Sequence, residues 1–110
     1  MRRFGQVARL KPDKVEEYRR LHADVWPQVL QTIADCNIIN YSIHIQDDLL
    51  FARFDYIGTD YAADMRRMEE DPVTQEWWRH TKPCFLHHDT GTYYQDMEEI
   101  FYFDPTTSST

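Results

Sequence analysis

His22 is the residue whose type and position most clearly suggest chemistry. Apolar side chains between Val15 and Ile33 recur at spacings of three and four, which is typical of one face of a helix. His22 falls on this face, one turn after Tyr18. It is either a histidine whose nitrogens find partners at the edge of the core, or a titratable group in a semi-apolar cleft. In the second case its reference pKa of about 6.5 suits proton transfer near neutral pH.

Two tyrosines and two tryptophans are candidates to surround His22. Tyr41 lies on the apolar face of a predicted strand, so it can point towards the helix that carries Tyr18. It is either a core residue or part of a polar patch, suited to a sugar, within an aromatic wall. Trp77 and Trp78 are adjacent on a predicted helix, so their side chains diverge by about 100°. We expect one to anchor the helix and the other to be exposed, at an interface, or stacked on a pyranose ring.

A second group of potential ligands lies between residues 80 and 89, namely His80, Cys84, His87, His88 and Asp89. These residue types suit zinc, but their spacing matches no compact zinc motif, and a structural site needs four converging ligands. We therefore expect a loop and no metal. The sequence also contains no glycine-rich phosphate loop, nucleophile elbow or dinucleotide-binding fingerprint, so we expect no cofactor.

Composition and charge argue against several classes of partner. The 110 residues are 42% hydrophobic and 15% aromatic, which is enough for the core of one domain. The net charge of −7 disfavours nucleic acid and anionic membrane surfaces. No apolar run approaches the roughly 20 residues of a membrane span, and the N-terminus has no apolar signal region. We expect a cytoplasmic protein in which Cys36 and Cys84 are reduced thiols.

The hydropathy pattern predicts the elements that must position these residues. Strand 2–10 precedes a helix that opens at Pro12, and Pro27 should kink or break this helix around Val25-Trp26. The period then changes to two, with Ile39, Tyr41, Ile43 and Ile45 on one face of the first strand of a hairpin. Its second strand covers 49–57, after a turn at Asp47-Asp48. The predicted domain covers 1–104. Its remaining elements are helix 60–70, a short helix after Pro72, a loop from Cys84 to Tyr94 and a strand at about 99–103. Residues 105–110 should be a frayed tail.

The order strand, helix, strand, strand, helix, strand predicts a split βαβ arrangement. Such a chain forms an antiparallel sheet with its helices on one face. The strand at 49–57 has apolar residues at both odd and even positions, which places them on both faces of the sheet. The face without helices must therefore also be shielded from water. The simplest cover is a second copy of the chain in a two-fold dimer.

Taken together, the sequence resembles the L-rhamnose mutarotase family. The similarity spreads over nearly the whole chain in family order, and it is specific as a set although no single stretch is. The matching stretches are Glu16–His22, Trp26-Pro27, Asn40–Ile43, Leu49–Ala52, Trp77-Trp78 and Glu99–Tyr102. The resemblance implies a dimeric, ferredoxin-like α+β fold and cofactor-free exchange between sugar anomers. It also implies a proton donor at His22 and sugar contacts at Tyr18, Tyr41, Trp77 and Trp78.

Two segments depart from the family pattern, so the sugar is less defined than the chemistry. The hairpin at Asp47-Asp48 is shorter, and the Cys84–Tyr94 loop contains the unusual pairs His87-His88 and Tyr93-Tyr94. From the resemblance we therefore expect the substrate to be L-rhamnose or another 6-deoxyhexose such as L-fucose. Two rival functions remain open at this point. One is a cofactor-independent monooxygenase of the same fold type, by analogy alone. The other is a non-catalytic dimeric binding module.

Overall fold

An antiparallel sheet forms the frame of the molecule in the computed structural model, which describes residues 1–86 and 93–106. Its strands are β1 (Arg2–Leu10), β2 (Ile38–Gln46), β3 (Leu49–Tyr56), β4 (Phe85–Leu86) and β5 (Gln95–Met97). They lie in the order β2-β3-β1-β4, and β5 also pairs with β1. The pairings in this sheet are antiparallel, as the split βαβ prediction requires.

Four helices cover one face of this sheet: α1 (Val15–His22), α2 (Pro27–Asp35), α3 (Tyr61–Glu70) and α4 (Pro72–Thr81). The interruption predicted around Val25-Trp26 is a break, because α1 ends at His22 and Pro27 occupies the first turn of α2. Asp60 and Asp71 accept hydrogen bonds from backbone N–H groups in the first turns of α3 and α4. No helix among the described residues is long and apolar enough to cross a membrane.

The core lies between the helices and the alternate residues of β1 and β3 that face them. One cluster surrounds Tyr18 of α1 and comprises Ala8, Leu10, Tyr18, Leu50, Cys84 and Phe85. A second cluster comprises Ile38, Phe54 and Tyr56, with Met65 and Met68 of α3 packed against it. Phe51 lies on the opposite, open face of the sheet. The two-sided apolar character predicted for β3 is therefore confirmed.

The predicted alternation of β2 is wrong at its start, because the strand contains a bulge. The pairing shifts between Ile39 and Ser42, so two residues of β2 oppose one residue of β3. Asn40, within the bulge, has a φ of 54° and its amide donates to the buried carboxylate of Asp55. As a result Ile38 is buried and Ile39 is exposed, whereas Ile43 after the bulge faces the core as predicted.

The predicted last strand at 99–103 is also wrong. The outer edge of β1 is occupied by β4 and β5, and β4 lies within the segment that was predicted to be a loop. Residues beyond β5 are held by side chains: Arg3 forms an ion pair with Glu99 at 2.9 Å and lies over the ring of Tyr102. Residues 99–103 form no strand, and the side chain of Ile100 is 88% exposed. The predicted tail lies mostly outside the described residues.

Candidate active site

A cavity of about 530 Å³ between the helices and β2 brings all five sequence-predicted site residues together. Tyr18 and His22 reach it from α1, Tyr41 from β2, and Trp77 and Trp78 from α4. Its volume lies within the range of about 300–1,000 Å³ that small-molecule sites occupy. The rest of its described lining is mostly apolar, with Ile43, Met68 and Phe85 among its members.

His22 is held in place by the residue one helical turn before it. Its Nδ1 lies 3.1 Å from the carbonyl oxygen of Tyr18, and the two rings stack with centroids 4.2 Å apart. A carbonyl oxygen can only accept, so Nδ1 carries a proton and Nε2 is left for other partners. Burial lowers the pKa of His22, while the hydrogen bond to Tyr18 acts in the opposite direction. The neutral imidazole therefore predominates at pH 7.

Four tyrosines are among the described residues that line the cavity, namely Tyr18, Tyr41, Tyr93 and Tyr94. The hydroxyl of Tyr18 lies 3.3 Å from that of Tyr94, which follows the segment outside the described residues. Burial raises the pKa of Tyr18, Tyr41 and Tyr94. This holds for Tyr41 even though 43% of its surface is exposed, because its hydroxyl end is the enclosed part. All three hydroxyls stay protonated near neutral pH, so they can donate and accept hydrogen bonds but are poor bases.

Tyr94 is a site residue that the sequence analysis did not single out. Its one signal in the sequence is the unusual Tyr93-Tyr94 pair at the end of a predicted loop, and both residues line the cavity. The hydropathy pattern could not identify the contact between Tyr94 and Tyr18, because they are 76 positions apart.

The two adjacent tryptophans take different roles, as the divergence of their side chains predicted. Trp77 is only 6% exposed and packs edge-on against the rings of Trp26 and His22. Trp78 is half-buried, and the ammonium group of Lys82 lies 4.6 Å from its ring centre. Trp77 is therefore the anchor of α4, and Trp78 offers an accessible ring to the cavity.

The electrostatic character of the cavity is unusual for a chain with a net charge of −7. Among the described residues that line it there is no Asp or Glu, and Lys82 is the one fully charged group. The arrangement can accept and donate hydrogen bonds, stack on an apolar ring face and transfer a proton at an imidazole. These are the interactions that a neutral sugar requires.

The metal ligands considered from the sequence are not brought together within the described residues. No group of three or more His, Cys, Asp or Glu side chains in residues 1–86 and 93–106 could hold a metal ion. The thiol of Cys84 is directed at the carboxylate of Glu17 instead, and burial raises its pKa to about 11. His87, His88 and Asp89 lie outside the described residues, so the expectation that this segment holds no metal stays a prediction.

Comparison with known proteins decides the family. A model of the L-rhamnose mutarotase family matches residues 3–103. The chain belongs to the L-rhamnose mutarotase family. Among its relatives, the L-rhamnose mutarotase of Lactiplantibacillus plantarum is 30% identical over 105 residues, which cover 94% of this chain and 100% of the relative. The L-rhamnose mutarotase of Bacillus subtilis is 29% identical over 107 residues, with the same coverage of 94% and 100%.

Solved structures show that the family fold is present. An L-rhamnose mutarotase from Formosa agariphila matches with a TM-score of 0.75 at 20% identity, covering 94% of this chain and 100% of that one. Tetracenomycin F2 cyclase from Streptomyces glaucescens, a polyketide cyclase, matches with a TM-score of 0.67 at 12% identity, covering 94% and 98%. The ferredoxin-like α+β fold implied by the resemblance is thereby confirmed.

The tryptophan pair yields a prediction that separates anchoring from binding. Trp77→Ala should lower the free energy of unfolding by about 3–5 kcal/mol, the usual cost of removing a buried aromatic side chain. Trp78→Ala should cost much less, because the ring is half-exposed, but it should weaken sugar binding. Urea unfolding and NMR titration with L-rhamnose measure the two effects. Trp78→Phe is the matched control, since it keeps a ring and should keep binding. Equal loss of stability in both alanine variants would contradict the assignment.

Proposed function

We propose that this protein interconverts the α and β anomers of L-rhamnose, or of a related 6-deoxyhexose such as L-fucose, by opening and closing the sugar ring. The observation that carries the proposal is the meeting of His22, two tyrosine hydroxyls and an accessible tryptophan ring in one cavity. Membership of the mutarotase family supports the same reaction and makes the protein a carbohydrate isomerase. It does not favour the monooxygenase or the non-catalytic binding module.

His22 is the proposed catalytic acid. As the hemiacetal opens, the bond between C1 and the ring oxygen breaks, the ring oxygen gains a proton, and O1 loses its proton to become the aldehyde oxygen. Rotation about C1–C2 followed by the reverse steps closes the ring on its other face. Since Nδ1 of His22 is engaged by the Tyr18 carbonyl, Nε2 is the nitrogen that gives and recovers the proton. The lowered pKa makes the imidazolium a stronger acid, though a less populated one.

The other site residues bind and orient the sugar in this proposal. Tyr18 and Tyr41 hydrogen-bond its hydroxyls, and Trp78 stacks on its apolar face while Trp77 contributes the packed wall behind His22. We assign acceptance of the O1 proton to a bound water molecule. The described lining contains no carboxylate, and the raised pKa values of Tyr18, Tyr41 and Tyr94 make these hydroxyls poor proton acceptors.

A second copy of the chain completes the proposed enzyme. The open face of the sheet presents Phe51, which is 37% exposed, together with Ile39 and Met97, and the exposed Ile100 and Phe103 follow in the same chain. Exposed apolar side chains grouped on one sheet face are characteristic of an interface. We infer that a two-fold homodimer buries it.

Removing the proposed acid should separate activity from stability. His22→Ala is expected to lower the enzyme-catalysed exchange rate by about 10²–10⁴-fold, the usual contribution of general acid–base catalysis, with little change in melting temperature. Saturation-transfer NMR of L-rhamnose and thermal melting are the measurements. His80→Ala is the matched control, because His80 is exposed and lies outside the cavity lining. A well-folded His22→Ala protein with the wild-type exchange rate would end the claim.

The pH dependence of exchange tests the direction of proton transfer. Burial lowers the pKa of His22, so the folded protein loses its imidazolium at a lower pH than a free histidine does. If the imidazolium is the acid, the catalysed rate should fall as the pH rises, with its midpoint below about 6.5. NMR exchange rates between pH 5 and 8, corrected for uncatalysed mutarotation, give the profile. A catalysed rate that rises with pH would make His22 the base instead.

The homodimer is tested by its mass. Light scattering at micromolar concentration should give twice the chain mass of 13.3 kDa. Phe51→Lys should shift the equilibrium to the monomer, because it places an unpaired charge in the proposed interface. A wild-type protein that remains a 13.3 kDa monomer would refute the dimer.

A further inference from the structure

A second cavity, of about 410 Å³, lies directly beside the cavity of about 530 Å³ that binds the sugar in the proposed function. The latter is called the sugar cavity below. Four residues, Trp78, Lys82, Phe85 and Tyr93, line both cavities and therefore form their shared boundary. The volume is again within the range of small-molecule sites. A ligand that occupies the sugar cavity could therefore extend into the second one.

The second cavity is basic, although the whole chain is acidic. Lys11, Arg79 and Lys82 line it, and its described lining contains no Asp or Glu. Arg79 is partly neutralised, because it forms an ion pair with Glu76 at 2.5 Å. Lys11 and Lys82 are not: among residues 1–86 and 93–106, no carboxylate lies within ion-pair distance of either ammonium group. Two positive charges that have no ion-pair partner among residues 1–86 and 93–106, placed around one open depression, indicate an anionic ligand.

The position of Lys82 indicates which chemical groups the ligand must carry. Its Nζ lies 4.6 Å from the ring centre of Trp78 and 5.7 Å from that of Tyr93, so the charge stands between two aromatic rings at the boundary of the cavities. Aromatic rings suit the apolar face of a pyranose, and an ammonium group forms strong hydrogen bonds with a carboxylate. A sugar ring that carries a carboxylate satisfies both features.

From this geometry we propose that the second cavity is a subsite for a hexuronic acid unit joined by a glycosidic bond to the reducing 6-deoxyhexose. The anomeric carbon of the 6-deoxyhexose stays free, so the uronic acid is attached through one of its other hydroxyls. The reaction is unchanged, and no bond to the uronic acid is made or broken. This inference rests on the proposed mutarotase function, because it assigns the first cavity to the ring that opens.

The test compares three substrates by NMR anomer exchange: L-rhamnose, a disaccharide of a hexuronic acid linked to reducing L-rhamnose, and the neutral hexose disaccharide with the same linkage. The double variant Lys11→Gln/Arg79→Gln removes charge from residues that line only the second cavity. It should lower kcat/KM for the acidic disaccharide by roughly tenfold or more, because hydrogen bonds to charged groups contribute about 1.5–3 kcal/mol. Exchange of L-rhamnose and of the neutral disaccharide should not change.

The matched control is Arg19→Gln/Arg66→Gln, which removes two exposed cations that line neither cavity and should leave all three rates unchanged. Exchange of L-rhamnose without exchange of the acidic disaccharide would overturn the subsite and leave the mutarotase function standing. The subsite is equally wrong if the wild type exchanges both disaccharides with the same kcat/KM, or if the double variant does not discriminate between them. Failure of all three substrates would overturn the proposed function itself.

Discussion

The burial of Tyr18 is the constraint on which the rest of the site depends. Its ring packs among Leu10, Leu50 and Phe85, so the position of α1 on the sheet is fixed at this point. The same residue supplies the carbonyl and the ring face that hold His22. Its hydroxyl lies within hydrogen-bond distance of the Tyr94 hydroxyl, so Tyr94 is held at the cavity. Tyr18 thus belongs both to the hydrophobic core and to the site. The packing of the core therefore fixes the position of the site residues that contact Tyr18.

Local periodicity was sufficient to predict the parts of the structure that lie on single elements. The spacing of Tyr18 and His22 on one helical face, and the break at Pro27, depend on residues within two turns of each other. The bulge in β2 was different. It results from the left-handed backbone of Asn40 and its hydrogen bond to Asp55, and an alternation of apolar residues contains no signal for either. The face of Ile39 was therefore assigned wrongly, while that of Ile43 was assigned correctly.

Features that depend on contacts between residues far apart in the sequence could not be predicted from its pattern. Residues 99–103 have the composition of a strand, but β4 and β5 already occupy the edge of β1 on which such a strand would pair. Likewise the basic cavity joins Lys11, at the end of β1, with Arg79 and Lys82, at the end of α4. The sequence shows these cations as scattered surface charges. Only the packing of α4 against the core places them around one depression.

The described walls of the sugar cavity contain no carboxylate, and hemiacetal opening and glycosidic cleavage differ in their need for one. Glycosidases usually cleave the bond between sugars with a pair of carboxyl groups, one on each side of that bond. Opening a hemiacetal does not require this pair, since one group that donates a proton and one that accepts a proton are enough. In the proposed function these described walls open a reducing end, and they hold no such pair of carboxyl groups beside a linkage further along a sugar chain. Equilibrating the anomers of a chain end and cleaving the chain therefore require different sets of side chains.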